Sequence, residues 1–376
     1  MTTGFLAADR RLVAEYLPGL DEQLVERPLE ELERPGSPAV EWFRKAGGPS
    51  LFVPEDLGGR GVGLRDGVRI QRALATRSPS LAVATTMHHF SVASMMDFEG
   101  EGTGMEWLVA EAVSRNSLLI ASGAAESAPD STIVRPQMTG RAVDKGILVS
   151  GSKKPCSLSR SMDLLFATVR VTADDGTETL ALAVIPKGSP GLEVHPFWSS
   201  PVLAGAESDE VRLTDVFVPR RVVGELGPLG ATTQSLRGAM VWFEVLIAAC
   251  YVGVASALLE RALSSRRAAD RQLAAMAIDV EGAVLALERV ADQVDAGGQV
   301  SALFGTSLLA RFAAQQAVVR ASSLAVEALG GGAFIGSPDV SYLHSAAACL
   351  PFHPPALAAS EDTLVGFLRG APVDLR

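Results

Sequence analysis

The sequence predicts an α+β protein that is mostly α-helical, with its strands confined to the middle of the chain. Apolar residues recur at helical spacings up to residue 113, short β-branched stretches begin near residue 118, and helical spacings return after residue 230. Strands and helices do not alternate, which argues against a Rossmann fold. We therefore predict an N-terminal α-helical domain at 1–117, a β-domain at 118–229 and a C-terminal α-helical domain at 230–376.

The clearest N-terminal helices are predicted at residues 64–76 and 81–95, where apolar side chains return every third or fourth position. Residues 53–63, just before the first of these two helices, are too rich in glycine to be helical. A loop is therefore expected there.

The predicted strands are short, rich in β-branched residues and bounded by Gly, Asp, Pro or Ser. They cover residues 147–150, 164–171, 179–185, 192–194 and 211–218. Such stretches are typical of a small β-domain.

The predicted C-terminal helices cover residues 233–265, 267–293, 301–329 and a region near 360–368. The most apolar run, 241–259, is interrupted by Glu244 and Ser256, and it has neither an aromatic belt nor a basic flank. We therefore expect a buried core helix there and no membrane span.

The composition argues against several functional classes. The formal net charge is −10 and no basic stripe is visible, so nucleic acid and anionic membranes are not expected partners. The cysteines Cys156, Cys250 and Cys349 are odd in number and far apart, without a CxxC pair. We therefore expect neither disulfides nor a metal site, and a reducing cytoplasm as the location. Residues 1–11 lack the pattern of a signal peptide.

Four local motifs follow one another along the chain. They are Val-Pro-Glu-Asp-Leu-Gly-Gly at 53–59, Gly-Ser-Lys-Lys-Pro-Cys-Ser at 151–157, Leu-Thr-Asp-Val-Phe-Val-Pro at 213–219 and Glu-Ala-Leu-Gly-Gly-Gly-Ala-Phe at 327–334. In this order they resemble motifs of the acyl-CoA dehydrogenase family, and the resemblance covers nearly the whole chain. It implies a C-terminal four-helix bundle and FAD, or FMN, as cofactor. It also implies a homodimer or homotetramer with the flavin at the interface.

An isoalloxazine ring needs hydrogen-bond donors along its polar edge and a flat apolar wall. The resemblance implies that Ser157 offers a hydroxyl to the flavin and that Ser131 lies near the substrate or the phosphates. The family's leading threonine and wall aromatic are replaced here by Ala125 and Pro155. The alternative for Ser157 is an edge-strand hydroxyl bonded to its own backbone.

The family's motifs for binding the nucleotide part of the flavin are only partly present in this sequence. The resemblance implies that Gly330 and Gly331 contact the adenine nucleotide of FAD, since glycine lets a diphosphate approach closely; the alternative is a helix C-cap and a tight turn. The family's Arg-x-Gln-Phe-Gly segment, which binds the diphosphate, is absent. Arg266, Arg267 or Arg271 can pair with phosphate instead, and a solvated basic turn is the other interpretation.

The family's usual catalytic glutamate, which removes the α-proton of an acyl thioester, is missing after the last motif. Some family members carry this carboxylate on an earlier helix, where Glu244 lies among apolar neighbours. Such surroundings raise a carboxyl pKa by desolvation, as a general base working near neutral pH requires. Structural pairing of a buried carboxylate is the alternative.

Histidines are the other candidates. Phe-His-Pro-Pro at 352–355 resembles the C-terminal segment of flavin monooxygenases with this fold, in which His353 would stand for the glutamate. His88 and His89 stand where other family members carry a histidine on the substrate side, so His89 is a predicted substrate contact; packing at a helix end is the alternative. Lys153 and Lys154 are either phosphate contacts or solvent-facing strand residues.

The leading functional interpretation is α,β-dehydrogenation of an acyl thioester carried by coenzyme A or a carrier protein. Glu244 would be the base, with Ser157 and Ser131 contacting flavin and substrate. The alternative is a flavin-dependent monooxygenase or oxidase in which His353 and His89 line the oxygen-activating pocket. A redox-silent subunit of a heteromeric enzyme is the third interpretation, because the usual base, the Gln-Phe-Gly segment and the wall aromatic are all missing. The fold alone does not decide among the three, since chemistry belongs to sites rather than to folds.

Overall fold

The computed structural model describes residues 4–96, 104–127, 131–173 and 175–375 of the chain. Helices come first, an eight-stranded sheet follows, and helices complete the chain. This order confirms the predicted fold class, α+β and mostly helical.

The N-terminal helices precede the sheet. Among the described residues they are α1 (Ala7–Tyr16), α2 (Leu20–Val25), α3 (Leu29–Glu33), α4 (Ala39–Lys45), α5 (Leu64–Arg77), α6 (Pro79–Met96) and α7 (Met105–Asn116). α5 begins where the carboxylate of Asp295 accepts hydrogen bonds from the backbone N–H groups of Leu64 and Arg65, at 2.7 and 3.0 Å. This distant side chain satisfies donors that the first turn of a helix leaves free.

The strands form one mixed sheet. They are β1 (Ile120–Gly123), β2 (Thr139–Val143), β3 (Gly146–Cys156), β4 (Leu164–Thr172), β5 (Glu178–Pro186), β6 (Leu192–His195), β7 (Asp209–Pro219) and β8 (Val223–Pro228). The order across the sheet is β6-β7-β3-β2-β4-β5-β8, with β1 beside β4. β4 pairs in parallel with β1 and β2, and the other pairs are antiparallel. The sheet is therefore not the parallel sheet of a dinucleotide-binding fold.

The C-terminal helices pack as a bundle. Among the described residues they are α8 (Gln234–Leu263), α9 (Asp270–Asp295), α10 (Phe304–Leu329), α11 (Gly331–Gly336), α12 (Pro338–Ala347) and α13 (Leu357–Leu368). α8, α9 and α10 contact one another, and α12 packs on α8 and α10. α5 and α6 lie against α8 from the N-terminal side.

α8 is the central helix of the molecule. Within the described residues it alone is long and apolar enough to cross a membrane by length and composition, and its most apolar stretch is entirely buried inside the protein. A helix that is apolar all round is typical of a core position. The buried core helix expected at 241–259 is therefore confirmed.

The three parts of the chain share one hydrophobic cluster. The predicted boundaries after residues 117 and 229 fall between α7 and β1 and between β8 and α8. Because the cluster continues through both junctions, the division into three domains stays a prediction.

Candidate active site

A cavity of about 400 Å³ lies where the sheet meets the helices. Its walls come from α6, α7 and α8, from β1, β3, β4, β5 and β8, and from the segment that follows α12. Most of its lining side chains are apolar, with a small number of hydroxyl, carboxyl and imidazole groups among them. A concave, largely apolar site with a few polar groups is the usual form of a small-molecule site.

Two hydroxyl groups meet on the sheet side of the cavity. The Oγ atoms of Ser157 and Ser208 are 2.9 Å apart, and both residues line the cavity. Ser157 directly follows β3 and Ser208 directly precedes β7, so the pairing of these strands brings the hydroxyls together. The structure therefore places Ser157 at the cavity.

The same side of the cavity offers flat apolar surface. Phe166 on β4 and Trp198, in the loop before β7, line the cavity. The indole N–H of Trp198 donates to the carbonyl oxygen of Val202 at 2.9 Å, which holds the ring in place. Pro155 also lines the cavity, at the position where the family carries an aromatic residue.

Ser131 uses its hydroxyl inside the protein. Its Oγ donates to Glu126 Oε2 at 2.6 Å, and Glu126 Oε1 lies 2.6 Å from the ammonium group of Lys153. Lys153 is fully buried, and its Nζ also lies 3.1 Å from Thr168 Oγ1. Ser131 is absent from the described cavity lining, and its contact with flavin and substrate stays a prediction. The interpretation of Lys153 as a solvent-facing residue is wrong.

Residues 128–130 of the segment that carries Ser131 lie outside the described residues. The predicted role of that stretch therefore stays a prediction.

His353 lines the cavity beside α8. Its Nε2 lies 2.8 Å from the hydroxyl oxygen of Tyr251, which is fully buried. Burial lowers the pKa of His353 to about 3, and the nearby Arg311 guanidinium adds to this effect. The imidazole is therefore neutral at physiological pH.

Glu244 is absent from the described cavity lining, and its role as the catalytic base stays a prediction. Its side chain is fully buried, and Oε2 lies 3.2 Å from Nε of Arg311 on α10. Neighbouring Phe243 lines the cavity, whereas Glu244 does not. Burial raises the pKa of Glu244 to about 8, although Arg311 lowers it, so the expected direction of the shift is confirmed. A base must reach the substrate, and this carboxyl group reaches Arg311 instead.

His89 is also absent from the described cavity lining, and its substrate contact stays a prediction. Its ring packs edge-on against Phe43 and Phe52, with centroids 5.5 and 5.0 Å apart. Burial lowers its pKa well below the usual value. His88 bridges two segments: Nε2 lies 2.8 Å from the carbonyl oxygen of Pro49, and Nδ1 accepts from Ile120 N–H at 3.0 Å. Both histidines belong to the core.

Gly330 and Gly331 lie away from the cavity, at the end of α10. Gly330 has a φ of +81°, and a Cβ there would meet the guanidinium of Arg267 at 2.9 Å. The positive φ and the lack of space for a Cβ explain why a glycine follows the last residue of α10. The predicted contact of these glycines, and of Arg266, Arg267 or Arg271, with a nucleotide stays a prediction.

Two carboxylates complete the lining. Glu106 on α7 is buried, whereas Glu225 on β8 is exposed and therefore marks the opening of the cavity. Among the described residues, no group of three or more His, Cys, Asp or Glu side chains is arranged to hold a metal ion.

Sequence patterns do not identify several of these residues. Ser208 and Trp198 reach the cavity through the pairing and looping of distant segments, so no local signal marks them. Arg311 does carry a signal, since it is a single cation in an otherwise apolar stretch, 308–314. Such a residue in a core helix predicts a buried partner.

The chain resembles known proteins over its whole length. The family model described as "Acyl-CoA dehydrogenase, C-terminal domain" matches residues 232–352. Isobutylamine N-hydroxylase from Streptomyces viridifaciens is 43% identical over 98% of this chain and 99% of that protein. Cyclohex-1-ene-1-carbonyl-CoA dehydrogenase from Syntrophus aciditrophicus is 24% identical over 89% of this chain and 83% of that protein.

Solved structures share the fold. FMN-bound TdsC from Paenibacillus sp. A11-2 superimposes with a TM-score of 0.81, at 18% identity and with 99% of both chains covered. The chain therefore belongs to the acyl-CoA dehydrogenase superfamily of flavin-dependent oxidoreductases, of which it is a divergent member.

Proposed function

We propose that this protein is a reduced-flavin-dependent monooxygenase that hydroxylates the nitrogen of a small aliphatic primary amine. In the balanced reaction R–NH₂, O₂ and two-electron-reduced flavin give R–NHOH, water and oxidised flavin. The end-to-end similarity to isobutylamine N-hydroxylase supports this reaction class.

The main support for the proposal is that His353, which lines the cavity, is neutral and a weak base. Dehydrogenation would need an effective base at this place. Removing an α-proton from an acyl thioester requires a basic group in contact with the substrate. His353 has its pKa lowered to about 3, and Glu244 faces Arg311 rather than the cavity. Hydroxylation of an amine does not require an α-proton base, so this arrangement favours oxygenation.

The carboxylates of the cavity support an amine substrate. Glu225 at the opening and Glu106 within it attract a protonated amine by charge. Nitrogen must be uncharged to react, and the apolar lining favours the neutral amine because desolvation disfavours the charged form.

The chain's own residues fit a flavin beside β3 and β7. Ser157 and Ser208 offer hydroxyls to the polar edge of the isoalloxazine, and Phe166 and Trp198 offer apolar surface. The reduced flavin supplies the electrons with which dioxygen is activated. We propose FAD or FMN in this role, and the bound FMN of TdsC supports the choice of a flavin.

The test combines purified protein, chemically reduced FMN or FAD, oxygen and a panel of amines: n-propylamine, isobutylamine and n-octylamine. We expect the N-hydroxylamine of the shorter amines, detected by mass spectrometry, and little product from n-octylamine. Anaerobic bleaching of bound oxidised flavin by an acyl thioester, without hydroxylamine formation, would contradict the proposal and support dehydrogenation. A protein that binds no flavin would support the redox-silent subunit.

Acyl thioester dehydrogenation is the second candidate, supported by the similarity to cyclohex-1-ene-1-carbonyl-CoA dehydrogenase. A homodimer or homotetramer and a cytoplasmic location stay proposals for either activity.

A further inference from the structure

Arg311 anchors the backbone that carries His353. Its guanidinium Nη2 donates to the carbonyl oxygens of Leu350 and His353, at 3.1 and 2.7 Å. Its Nη1 donates to the carbonyl oxygen of Pro355 at 2.9 Å. Three carbonyl oxygens of one short segment therefore converge on a single planar cation, whose fixed fork geometry limits how that segment can move.

The anchor is itself fixed from two helices. Arg311 belongs to α10 and is fully buried, and its remaining Nε lies 3.2 Å from Glu244 on α8. Burying a guanidinium costs free energy unless its N–H groups find partners. The four oxygen neighbours of Arg311 supply such partners and define one position for its side chain.

The hydrogen bond from Tyr251 determines the tautomer of His353, that is, which ring nitrogen carries the proton. Its phenol oxygen is 2.8 Å from Nε2 and is fully buried on α8. Among the described residues, Nε2 of His353 is the hydrogen-bond partner that the structure gives this hydroxyl. If Nε2 donated to the phenol, the phenol proton would be left without an acceptor, which buried donors avoid. The hydroxyl therefore donates to Nε2.

We propose that Arg311 and Tyr251 are positioning residues that hold His353 as its Nδ1–H tautomer, with an N–H donor directed to the cavity. Arg311 fixes the backbone of His353, and Tyr251 occupies its Nε2 acceptor. His353 lines the cavity, and the structure gives its Nδ1 no hydrogen bond to the described residues. His353 then meets the reactants as a hydrogen-bond donor and does not accept the proton of the amine.

The tautomer is measured directly by long-range ¹H–¹⁵N NMR of protein labelled with ¹⁵N-histidine. The chain has five histidines, and His353→Gln identifies the His353 signals by their loss. We expect the wild-type proton on Nδ1. Tyr251→Phe removes only the hydroxyl, so we expect a shift towards the Nε2–H form. A wild-type proton on Nε2, or an unchanged tautomer in Tyr251→Phe, would overturn the proposal.

Arg311 is tested by the double variant Glu244→Gln/Arg311→Gln, which removes the anchor without leaving an isolated charge. We expect its His353 signals to report both tautomers. The matched control is Asp9→Asn/Arg72→Gln, which removes another buried pair, 3.2 Å apart, on α1 and α5. We expect wild-type His353 signals in the control even where it is less stable. The same change in both double variants would overturn the role of Arg311.

The consequence for catalysis rests on the proposed N-hydroxylation and is measured separately. In Tyr251→Phe we expect the ratio of hydrogen peroxide released to hydroxylamine formed to rise about fivefold, equivalent to one hydrogen bond of about 1 kcal/mol. The KM for the amine should not change. A wild-type enzyme that makes no hydroxylamine but shows the Nδ1–H tautomer would overturn the proposed function and leave the tautomer assignment standing. An unchanged peroxide ratio in an active Tyr251→Phe would overturn the catalytic consequence.

Discussion

Ser157 and Ser208 illustrate how single residues acquire a role through strand pairing. Their hydroxyls are 2.9 Å apart at the cavity, whereas the hydroxyl of Ser131 is bound to Glu126 inside the protein. The three serines are chemically identical, so only their positions predict different contributions to flavin binding.

We predict that Ser157→Ala weakens flavin binding about fivefold, because one hydrogen bond of about 1 kcal/mol is lost. Ser131→Ala is the matched control and should leave the dissociation constant close to that of the wild type. Titration with FMN and FAD, followed by quenching of flavin fluorescence, measures both. A larger loss in Ser131→Ala than in Ser157→Ala would contradict the assignment.

Glu244 combines a raised pKa with a position outside the described cavity lining. Its pKa rises from 4.5 to about 8 through burial. Between these values the folded state holds a proton that the unfolded state has released. The contribution of Glu244 to the free energy of unfolding therefore falls as pH rises through this window.

We predict that Glu244→Gln keeps the activity and its pH profile, because Glu244 does not reach the cavity and the amide oxygen of Gln can still accept from Arg311. Relative to the variant, the wild type should lose stability as pH rises, since Gln imitates the protonated acid at every pH. Urea unfolding at about pH 5 and about pH 8 measures the difference. Parallel stability curves, or loss of activity in a folded variant, would show that Glu244 acts otherwise.

Residue types alone predict part of this site. The positions of Ser157 and His353 at the cavity could be predicted, because each residue belongs to a sequence motif, at 151–157 and 352–355. The directions of Glu244 and His89 were not, since a helix that is apolar on all sides gives no signal of which face meets the cavity. The structure settles these directions through Arg311 and the aromatic rings around His89.

At the scale of secondary structure, α8 organises the site. One face carries Phe243 and Tyr251 to the cavity, and another carries Glu244 to α10. Against α5, Gly253 permits close approach, because a Cβ there would lie 2.3 Å from the carbonyl oxygen of Arg72 and 2.7 Å from Cβ of Ala75. The position of α8 thus depends on a residue without a side chain.

We predict that Gly253→Ala destabilises the protein by about 1–3 kcal/mol, because overpacking forces α5 and α8 apart. The matched control is Gly282→Ala on α9, where a Cβ would meet nothing within 4 Å. The control should gain about 0.5–1 kcal/mol, since alanine loses less freedom than glycine in a helix. Urea unfolding of both variants decides; equal effects would contradict this packing account.

The order and type of the elements were largely predictable, because helical and strand periodicities differ and change abruptly near the ends of the sheet. The long helices α8, α9 and α10 match the predicted patterns closely. The parallel pairing of β1 and β2 with β4 was not predictable, since register depends on contacts between segments distant in sequence.

At the scale of the whole molecule, hydrogen bonds of Glu33 and Tyr342 link the three parts of the chain. Glu33 on α3 accepts from the hydroxyls of Ser78 and Ser80, at 2.5 and 2.6 Å, and from the hydroxyl of Tyr342 on α12. The same phenol oxygen accepts from the backbone N–H of Leu203 at 2.9 Å. The loop that carries Trp198 is thereby fastened to helices from both ends of the chain.

We predict that Tyr342→Phe lowers the free energy of unfolding by about 1–3 kcal/mol, because two buried hydrogen bonds lose their partner. Flavin affinity should fall as well, since the loop with Trp198 is less fixed. Tyr16→Phe is the control, because the hydroxyl of Tyr16 makes no hydrogen bond to the described residues. Denaturation and flavin titration measure the two effects; a loss of the same size in Tyr16→Phe would contradict this role.

In the proposed reaction, an oxygen atom of O₂ is transferred to an amine nitrogen in the cavity. A single turnover of the enzyme with reduced flavin and isobutylamine under ¹⁸O₂ tests it most directly. We predict one ¹⁸O atom in N-hydroxyisobutylamine, by mass spectrometry, with amounts of product that follow the enzyme concentration. Recovery of unchanged amine, together with reduction of the oxidised enzyme by an acyl thioester, would contradict the account.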